Sequence, residues 1–237
     1  MTQNGSAADV QAAEERGAIR RRVLAVIAQQ VFVVALLFVS AGTLRWTWAW
    51  VYVGISLALM VFNVLVLPKD VIVERSRSRK DVKDWDKTLT NWSIVPALAG
   101  LIVPGLDERF GWAPELSLGV HLAGAVVMVL GQLLFTWGMA SNPFFSTGVK
   151  VQTDRGHAVA SGGPYRFVRH PGYLGYIGMW LATPLLLGSA WGLIPAAVDA
   201  VFFLIRTALE DRTLQAELPG YREYAQRVRY RLLPGVW

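Results

Sequence analysis

Long uncharged apolar runs, separated by short polar segments, dominate the chain after residue 22. A helix needs roughly 20 such residues, at 1.5 Å each, to cross the hydrocarbon core of a bilayer. Four runs meet this measure and are predicted to be transmembrane helices: residues 23–41, 47–67, 89–106 and 116–139.

A further apolar run covers residues 173–205 and is too long for one typical helix. Near its middle, the sequence Gly188-Ser189-Ala190-Trp191-Gly192 is typical of a tight turn. We therefore predict two short helices, 173–187 and 193–205, that form either two full spans or a partly embedded hairpin. The predicted fold class is an all-α integral membrane protein with about six transmembrane helices.

The basic residues test this count. If both termini are cytoplasmic, the N-terminus, residues 68–88, residues 140–172 and the tail from residue 206 hold 21 of the 23 Lys and Arg residues. Only Arg45 and Arg109 then lie in outer loops. This asymmetry agrees with the positive-inside rule, whereas an odd number of spans would place one arginine-rich terminus on the wrong side.

The chain divides into three regions by the same pattern. Residues 1–18 are polar and are predicted to be a flexible N-terminal arm, not a signal peptide, because the apolar run that follows is too long for one. Residues 19–139 hold four transmembrane helices. Residues 140–237 hold a cytoplasmic loop, the hairpin and a C-terminal tail.

Composition narrows the classes of function. The 237 residues include no cysteine, which excludes disulfides, thiolate metal sites and cysteine nucleophiles. Hydrophobic residues make up 54% of the chain and charged residues 17%, which excludes an intrinsically disordered chain. The formal charge of +6 suits a cytoplasmic membrane surface or an anionic ligand and does not by itself indicate nucleic acid.

Few polar side chains interrupt the predicted spans, and they bear on a transporter or scaffold function. Asp199 is the sharpest of them, since an ionisable residue within a membrane is a functional hypothesis by default. The alternative is a hydrogen-bonded buried acid. Gln132, Asn63 and His121 are more typical of contacts between helices. No inverted repeat is present to support a transporter.

The loop 140–172 and the tail hold the more informative polar residues. Histidines, tyrosines and glycines precede Pro171, which is suited to the first turn of a helix. Free amides in that turn favour an anion. In the tail, Arg206 and Glu210 are four residues apart and share one helix face. They are either a surface ion pair or a functional pair that faces the loop.

At these residues the sequence resembles the isoprenylcysteine carboxyl methyltransferase family of integral-membrane enzymes, over roughly residues 140–237. The sterol and steroid reductases share part of this pattern. The resemblance rests on Gln152, His157, Gly163-Pro164-Tyr165, Arg169-His170-Pro171-Gly172-Tyr173, Arg206 with Glu210, Gly220-Tyr221 with Tyr224, and Arg231-Leu232-Leu233-Pro234. The family often has a run of glutamates after the last span, where this chain has Glu210-Asp211-Arg212.

The resemblance implies that S-adenosylmethionine is the methyl donor and binds on the cytoplasmic side between the loop and the tail. It implies that Arg206 faces the methyl acceptor as the catalytic and substrate-binding residue. The cofactor-binding residues that it implies are Gln152, His157, Ala158, Val159, Ala160, Tyr165, His170, Pro171, Gly172, Tyr173 and Glu210.

The acceptor is expected to be a lipophilic small molecule or lipidated group that enters from the bilayer, with a carboxylate favoured. An ionised carboxylate needs no general base, whereas an amine or phenol would need one, for which His170, Tyr173 and Glu210 are candidates. Two rival functions stay open: an NADPH-dependent reductase of the sterol type, and a non-enzymatic transporter or scaffold. Membrane lipids are expected partners, nucleic acid is not, and the oligomeric state stays open.

Overall fold

The computed structural model describes residues 3–75 and 81–237. Within those residues the chain forms eight α-helices and no strand. In chain order they are α1 (Gln3–Ala41), α2 (Thr47–Val66), α3 (Lys69–Glu74), α4 (Asp84–Phe110), α5 (Leu118–Ala140), α6 (Pro171–Leu187), α7 (Leu193–Glu217) and α8 (Tyr221–Arg227). The predicted all-helical class is confirmed.

Four helices are long and apolar enough to cross a membrane: Ile19–Ala41 within α1, and α2, α4 and α5. Large apolar side chains stay exposed along them, among them Leu65 and Val126, as expected of surfaces that face lipid. The two further predicted spans correspond to α6, which has 17 residues, and to α7, whose second half carries charges. The six-span count therefore stays a prediction.

The predicted helix boundaries differ from the observed ones mainly where charged residues begin or extend a helix. Helix α4 begins at Asp84, and acidic residues in its first turn suit the positive end of a helix dipole. Helix α7 continues well beyond residue 205. The predicted tight turn is present, because α6 ends at Leu187 and is capped by Gly188, whose φ is 87°.

The N-terminal helix crosses the predicted boundary at residue 18, since α1 runs from Gln3. Residues 1–2 of the predicted arm lie outside the described residues. So do residues 76–80 of the mixed-charge segment, residues 69–88, for which the sequence predicts no role. The division of the chain into three regions stays a prediction.

Helices α5 and α6 cross very closely because glycines line their contact. Gly124, Gly131 and Gly138 recur at every seventh position of α5, and each faces the α6 backbone. A Cβ atom on Gly131 would lie 2.6 Å from the carbonyl oxygen of Gly175. Small residues allow two membrane helices to approach to backbone contact. This crossing sets the position of the α6 N-terminus and of the loop that precedes it.

Helix α4 packs between α1 and α7, and α7 also contacts α6. The apolar core near the start of α2 joins α1, α4 and α6, with Leu37, Trp46, Leu101 and Leu187 buried together. At the other end of the bundle, the loop between α5 and α6 meets the second half of α7 and α8. The polar residues of the loop and tail are gathered there.

Candidate active site

A cavity of about 240 Å³ lies where the loop, the start of α6, the second half of α7 and α8 come together. Its volume is near the lower end of the range for small-molecule sites, roughly 300–1,000 Å³. Aromatic and apolar side chains form much of its wall. The charged side chains among its described lining residues are Arg75, Lys150, Arg169, Arg206 and Glu210.

One end of the cavity is a buried aromatic cluster made by the loop and the tail. Tyr165, Leu218, Tyr221 and Tyr224 pack together there. The Tyr224 hydroxyl donates a hydrogen bond of 2.7 Å to the carbonyl oxygen of Tyr165. Burial raises the pKa of all three tyrosines, so each remains a neutral phenol at physiological pH. This end offers flat apolar surfaces with a few hydroxyl groups.

Asp211, on α7, holds the tail against the loop. It is fully buried, and burial alone would raise the pKa of its carboxyl group. Hydrogen bonds from His170, Arg169 and Arg231 outweigh that effect and lower the pKa of Asp211 well below its usual range. The carboxylate is therefore ionised at any physiological pH. Its side-chain contacts are Arg169 at 2.7 and 3.0 Å, Gln215 at 2.8 Å, Arg231 at 2.9 Å, Tyr221 at 3.1 Å and His170 at 3.4 Å.

Backbone hydrogen bonds also hold the C-terminal tail against the loop, just before α6. The amides of Arg169 and His170 donate hydrogen bonds of 2.9 Å to the carbonyl oxygens of Tyr230 and Arg231. The Arg169 guanidinium also donates to the carbonyl oxygens of Val228 and Arg229, at 2.8 and 2.7 Å. The C-terminal segment thus fixes the entry to α6, where His170 and Gly172 line the cavity.

Arg206 is already paired within the protein. Its Nε and Nη2 atoms donate to the two carboxylate oxygens of Asp86, at 2.6 and 3.2 Å. Asp86 lies near the start of α4, is fully buried and also accepts a hydrogen bond from the Val149 amide at 2.9 Å. The guanidinium carbon of Arg206 lies 5.3 Å from the ring centroid of Tyr173. Two of the three guanidinium nitrogens are therefore engaged, and no hydrogen bond from Nη1 is seen within residues 3–75 and 81–237.

Glu210 lies one turn after Arg206 on α7 and also lines the cavity. It accepts a short hydrogen bond from the Tyr173 hydroxyl. It is the one carboxylate among the described residues that line the cavity. The cavity therefore presents one carboxyl group next to Tyr173 and one helical turn from Arg206.

His157 lines the cavity from the loop and is held as a neutral imidazole. Its Nδ1 accepts a hydrogen bond of 3.2 Å from the backbone amide of Gln152, and its ring stacks on Phe144 with centroids 4.4 Å apart. Burial and the nearby Arg155 lower its pKa, against a smaller opposing effect of Glu74. Because Nδ1 accepts, Nε2 carries the hydrogen of the neutral ring.

Comparisons with known proteins point to the family that the sequence resembles. The model of the isoprenylcysteine carboxyl methyltransferase family matches residues 124–216, which run from α5 through the loop and α6 to near the end of α7. Protein-S-isoprenylcysteine O-methyltransferase B of Arabidopsis thaliana is 30% identical over 140 residues, which are 57% of this chain and 67% of that relative. The chain belongs to this family.

A second relative of the chain acts on a different class of molecule, as its name states. Methanethiol S-methyltransferase 1 of Bradyrhizobium diazoefficiens is 46% identical over 66 residues, which are 27% of this chain. The match spans only 22% of that relative's length. Both relatives are methyltransferases, which supports the predicted class of enzyme. With its four apolar helices, this isoprenylcysteine carboxyl methyltransferase family member is an integral membrane protein.

The residues that the family resemblance singled out converge on the cavity in most cases. Gln152, Ala158 and Pro171 are not among its lining residues. Gln152 is buried, and its side-chain amide supports the loop. The Nε2 atom donates to the Phe144 carbonyl oxygen at 2.8 Å, and the Oε1 atom accepts from Arg155 at 2.7 Å. Their roles in binding stay predictions. The predicted residues that line the cavity are His157, Val159, Ala160, Tyr165, His170, Gly172, Tyr173, Arg206 and Glu210.

Sequence reasoning missed three features of this family member's site. Asp86 was not identified as the partner of Arg206, because nothing local marks a pair so far apart in the chain. Tyr221 and Tyr224 belonged to the family pattern but were not assigned to the cavity. Arg75 lies in the mixed-charge segment, to which no role was assigned.

Proposed function

We propose that this protein is a six-span membrane methyltransferase that moves a methyl group from S-adenosylmethionine to a lipophilic acceptor, with a carboxylate favoured. One observation carries the proposal. Nine of the twelve site residues named from the sequence, drawn from the loop, α6 and α7, surround a single cavity. A membrane anchor alone would have no need to gather them.

The described lining residues suit this donor chemically. A planar heterocycle is complemented by the aromatic wall of Tyr165, Tyr221 and Tyr224, whose neutral hydroxyls supply hydrogen bonds. The Glu210 carboxylate suits an ammonium group or the hydroxyls of a ribose. When bound, S-adenosylmethionine would supply a methyl group activated by a positively charged sulfonium sulfur. After the transfer, that sulfur would be a neutral thioether, so the rest of the donor is a good leaving group.

The protein's own contribution is then positioning and exclusion of water. The Asp211 network closes the tail over the cavity and holds His170 at the start of α6. Asp86 holds Arg206 in one orientation, so the Nη1 group, which donates no hydrogen bond among the described residues, can orient an acceptor without neutralising it. A carboxylate acceptor is already ionised and gives up no proton.

An acceptor with a proton to lose would need a base near the cavity. The hydrogen-bonded pair of Tyr173 and Glu210 offers a carboxylate there. A thiol or phenol acceptor would thus rely on Glu210 as the base. A carboxylate acceptor would need no base.

We further propose that both termini and the cavity lie on the cytoplasmic side. The support is the distribution of basic residues, of which the loop and tail carry ten. The donor would enter from the cytosol and the acceptor laterally from the bilayer.

No observation favours the rival functions. A phosphorylated dinucleotide carries several anionic groups, but three of the four described cations that line the cavity, Lys150, Arg169 and Arg206, each pair with a buried carboxylate, which leaves Arg75 alone for an anion. For a transporter, Gln132 would be exposed to a substrate path. Instead it donates to Thr136 at 3.3 Å, within a hydrogen-bonded contact between α2 and α5.

The test is isothermal titration of the detergent-solubilised protein with S-adenosylhomocysteine, with NADPH titrated in parallel. We expect micromolar binding of the first and none of the second. Glu210→Gln should weaken binding at least about tenfold, because it removes the cavity's carboxylate. Glu217→Gln is the matched control, since Glu217 lies on the same helix and pairs with Lys83 at the surface. Binding of NADPH alone would refute the proposal.

A further inference from the structure

Arg75 enters the cavity from outside the region that the family model matches. It directly follows the short helix α3. Its guanidinium carbon lies 5.8 Å from the ring centroid of Phe135 and 5.6 Å from that of Phe145. These two rings meet edge to face, with centroids 5.6 Å apart. The aromatic faces hold the cation in place through cation–π attraction.

Arg75 differs from the other cationic side chains of the cavity because it has no carboxylate partner among the described residues. Among the described residues, four cationic side chains line the cavity, and three of them have carboxylate partners. Lys150 pairs with Glu74 at 2.9 Å. Arg169 pairs with Asp211 and Arg206 with Asp86, at 2.7 and 2.6 Å. In the part of the chain that the structure describes, the Arg75 guanidinium makes neither an ion pair nor a hydrogen bond, although the Arg75 backbone amide donates to the Val71 carbonyl oxygen at 3.0 Å.

The surroundings of Arg75 add to its unbalanced charge. Burial lowers the pKa of Arg75 to about 10, with further lowering by the charges of Arg22 and Arg206. The group remains protonated at physiological pH. Arg75 is half-buried, and a cation shielded from water without a counter-ion among the described residues is costly, so an anion brought by a ligand would be favoured there.

Arg75 lies at the end of the cavity that Phe135 and Phe145 line. Neither ring belongs to the tyrosine cluster. Arg75 also interacts electrostatically with Arg206 and Tyr173. Beyond them, Phe203 stacks on Tyr176 with centroids 3.9 Å apart. This end combines an apolar aromatic wall with cationic groups, which suits a greasy molecule that carries a negative charge.

We propose that Arg75 binds the carboxylate of the methyl acceptor and thereby selects acidic lipids over neutral ones. This inference rests on the function proposed above. A guanidinium matches a carboxylate with two parallel hydrogen bonds, and the Arg75 guanidinium donates none to residues 3–75 and 81–237. Arg206, tied to Asp86, orients the same group from the other side.

The experiment compares acids with their amides in direct binding to the wild-type protein in detergent. The probes are N-acetyl-S-farnesylcysteine and palmitic acid, each with its carboxamide, titrated with and without S-adenosylhomocysteine. The wild-type protein should bind at least one acid about tenfold or more tightly than its amide, a difference of about 1.4 kcal/mol. Equal binding of acid and amide, or no binding of either acid, overturns the proposal without any variant.

Two variants then locate the preference. Arg75→Gln should lower the affinity for the acid to that for the amide and leave S-adenosylhomocysteine affinity within about twofold, and Arg75→Lys should restore part of the preference. Arg166→Gln, in an exposed part of the loop, is the control and should change neither. If Arg75→Gln weakens S-adenosylhomocysteine and keeps the acid preference, Arg75 binds the carboxylate of the cofactor and the proposal is wrong. If the wild-type protein shows the acid preference but does not bind S-adenosylhomocysteine, the proposed function fails on its own.

Discussion

Alanine in place of Gly175 is expected to push α6 away from α5. The new methyl group would collide with the carbonyl oxygen of Gly131 and would lie 2.7 Å from the backbone nitrogen of Phe135. Both contacts are with backbone atoms, which cannot move aside by changing a side-chain rotamer. Overpacking of this kind costs roughly 1–3 kcal/mol.

Gly178 offers a matched control one turn further along the same helix. A Cβ atom there would meet nothing within 4 Å. Both substitutions gain the same helix propensity, up to about 1 kcal/mol, so this gain cancels when the two variants are compared. The difference between their free energies of unfolding should therefore be the collision alone, about 1–3 kcal/mol.

The assay is unfolding in mixed detergent micelles, followed by tryptophan fluorescence, for the wild-type protein and both variants. Binding of S-adenosylhomocysteine is measured alongside, since α6 carries Gly172 and Tyr173 into the cavity. We expect Gly175→Ala to be less stable than Gly178→Ala and to bind more weakly. Equal stability of the two variants would refute the close crossing of α5 and α6.

Three further predictions concern buried acids. Asp211→Asn should cost about 3–5 kcal/mol of stability, because several donors lose a buried charge. The pKa of Asp211 is lower in the folded protein than in the unfolded chain, so its contribution to the free energy of unfolding is complete above about pH 4 and is lost as the pH falls further. In an acid titration, the stability of the variant should therefore decline less steeply over that range than the stability of the wild-type protein. Asp86→Asn should destabilise the protein through an unpaired Arg206, and a double-mutant cycle with Arg206→Gln should show coupling above about 1 kcal/mol; additive effects would contradict the pairing. Asp199→Asn should retain stability and activity, because both carboxylate oxygens of Asp199 are buried without a hydrogen-bond partner among the described residues; a folded but inactive variant would give Asp199 a functional role.

Much of the helical framework could be predicted because lipid imposes long apolar runs. The turn between α6 and α7 was visible in the sequence, because Gly188 ends the helix in a left-handed conformation. The α5–α6 contact also had a signal that was overlooked: Gly124, Gly131 and Gly138 at seven-residue spacing. A repeat of small residues on one face indicates a close helix neighbour but not which helix it is.

The candidate site was predictable where a pattern marks it and not where the fold alone creates it. His170 and Glu210 came from the ordered family pattern, and both line the cavity. Asp86 and Arg75 precede that pattern, and from the sequence both are ordinary charges between two apolar runs. Their importance arises from tertiary contacts, which local sequence does not encode.

Because Asp86 of α4 pairs with Arg206 of α7, the region that the family model matches depends on a helix outside it. The family match begins at residue 124, which suggests a region that could be transplanted onto another membrane anchor. Cut from α4, such a graft would carry Arg206 as a bare cation inside the bundle, and the Val149 amide would lose its acceptor. Any working chimera must therefore bring α4 with it. A split in the connection at residues 111–117 is the natural seam for reassembling two co-expressed halves, because the ion pair would guide them together.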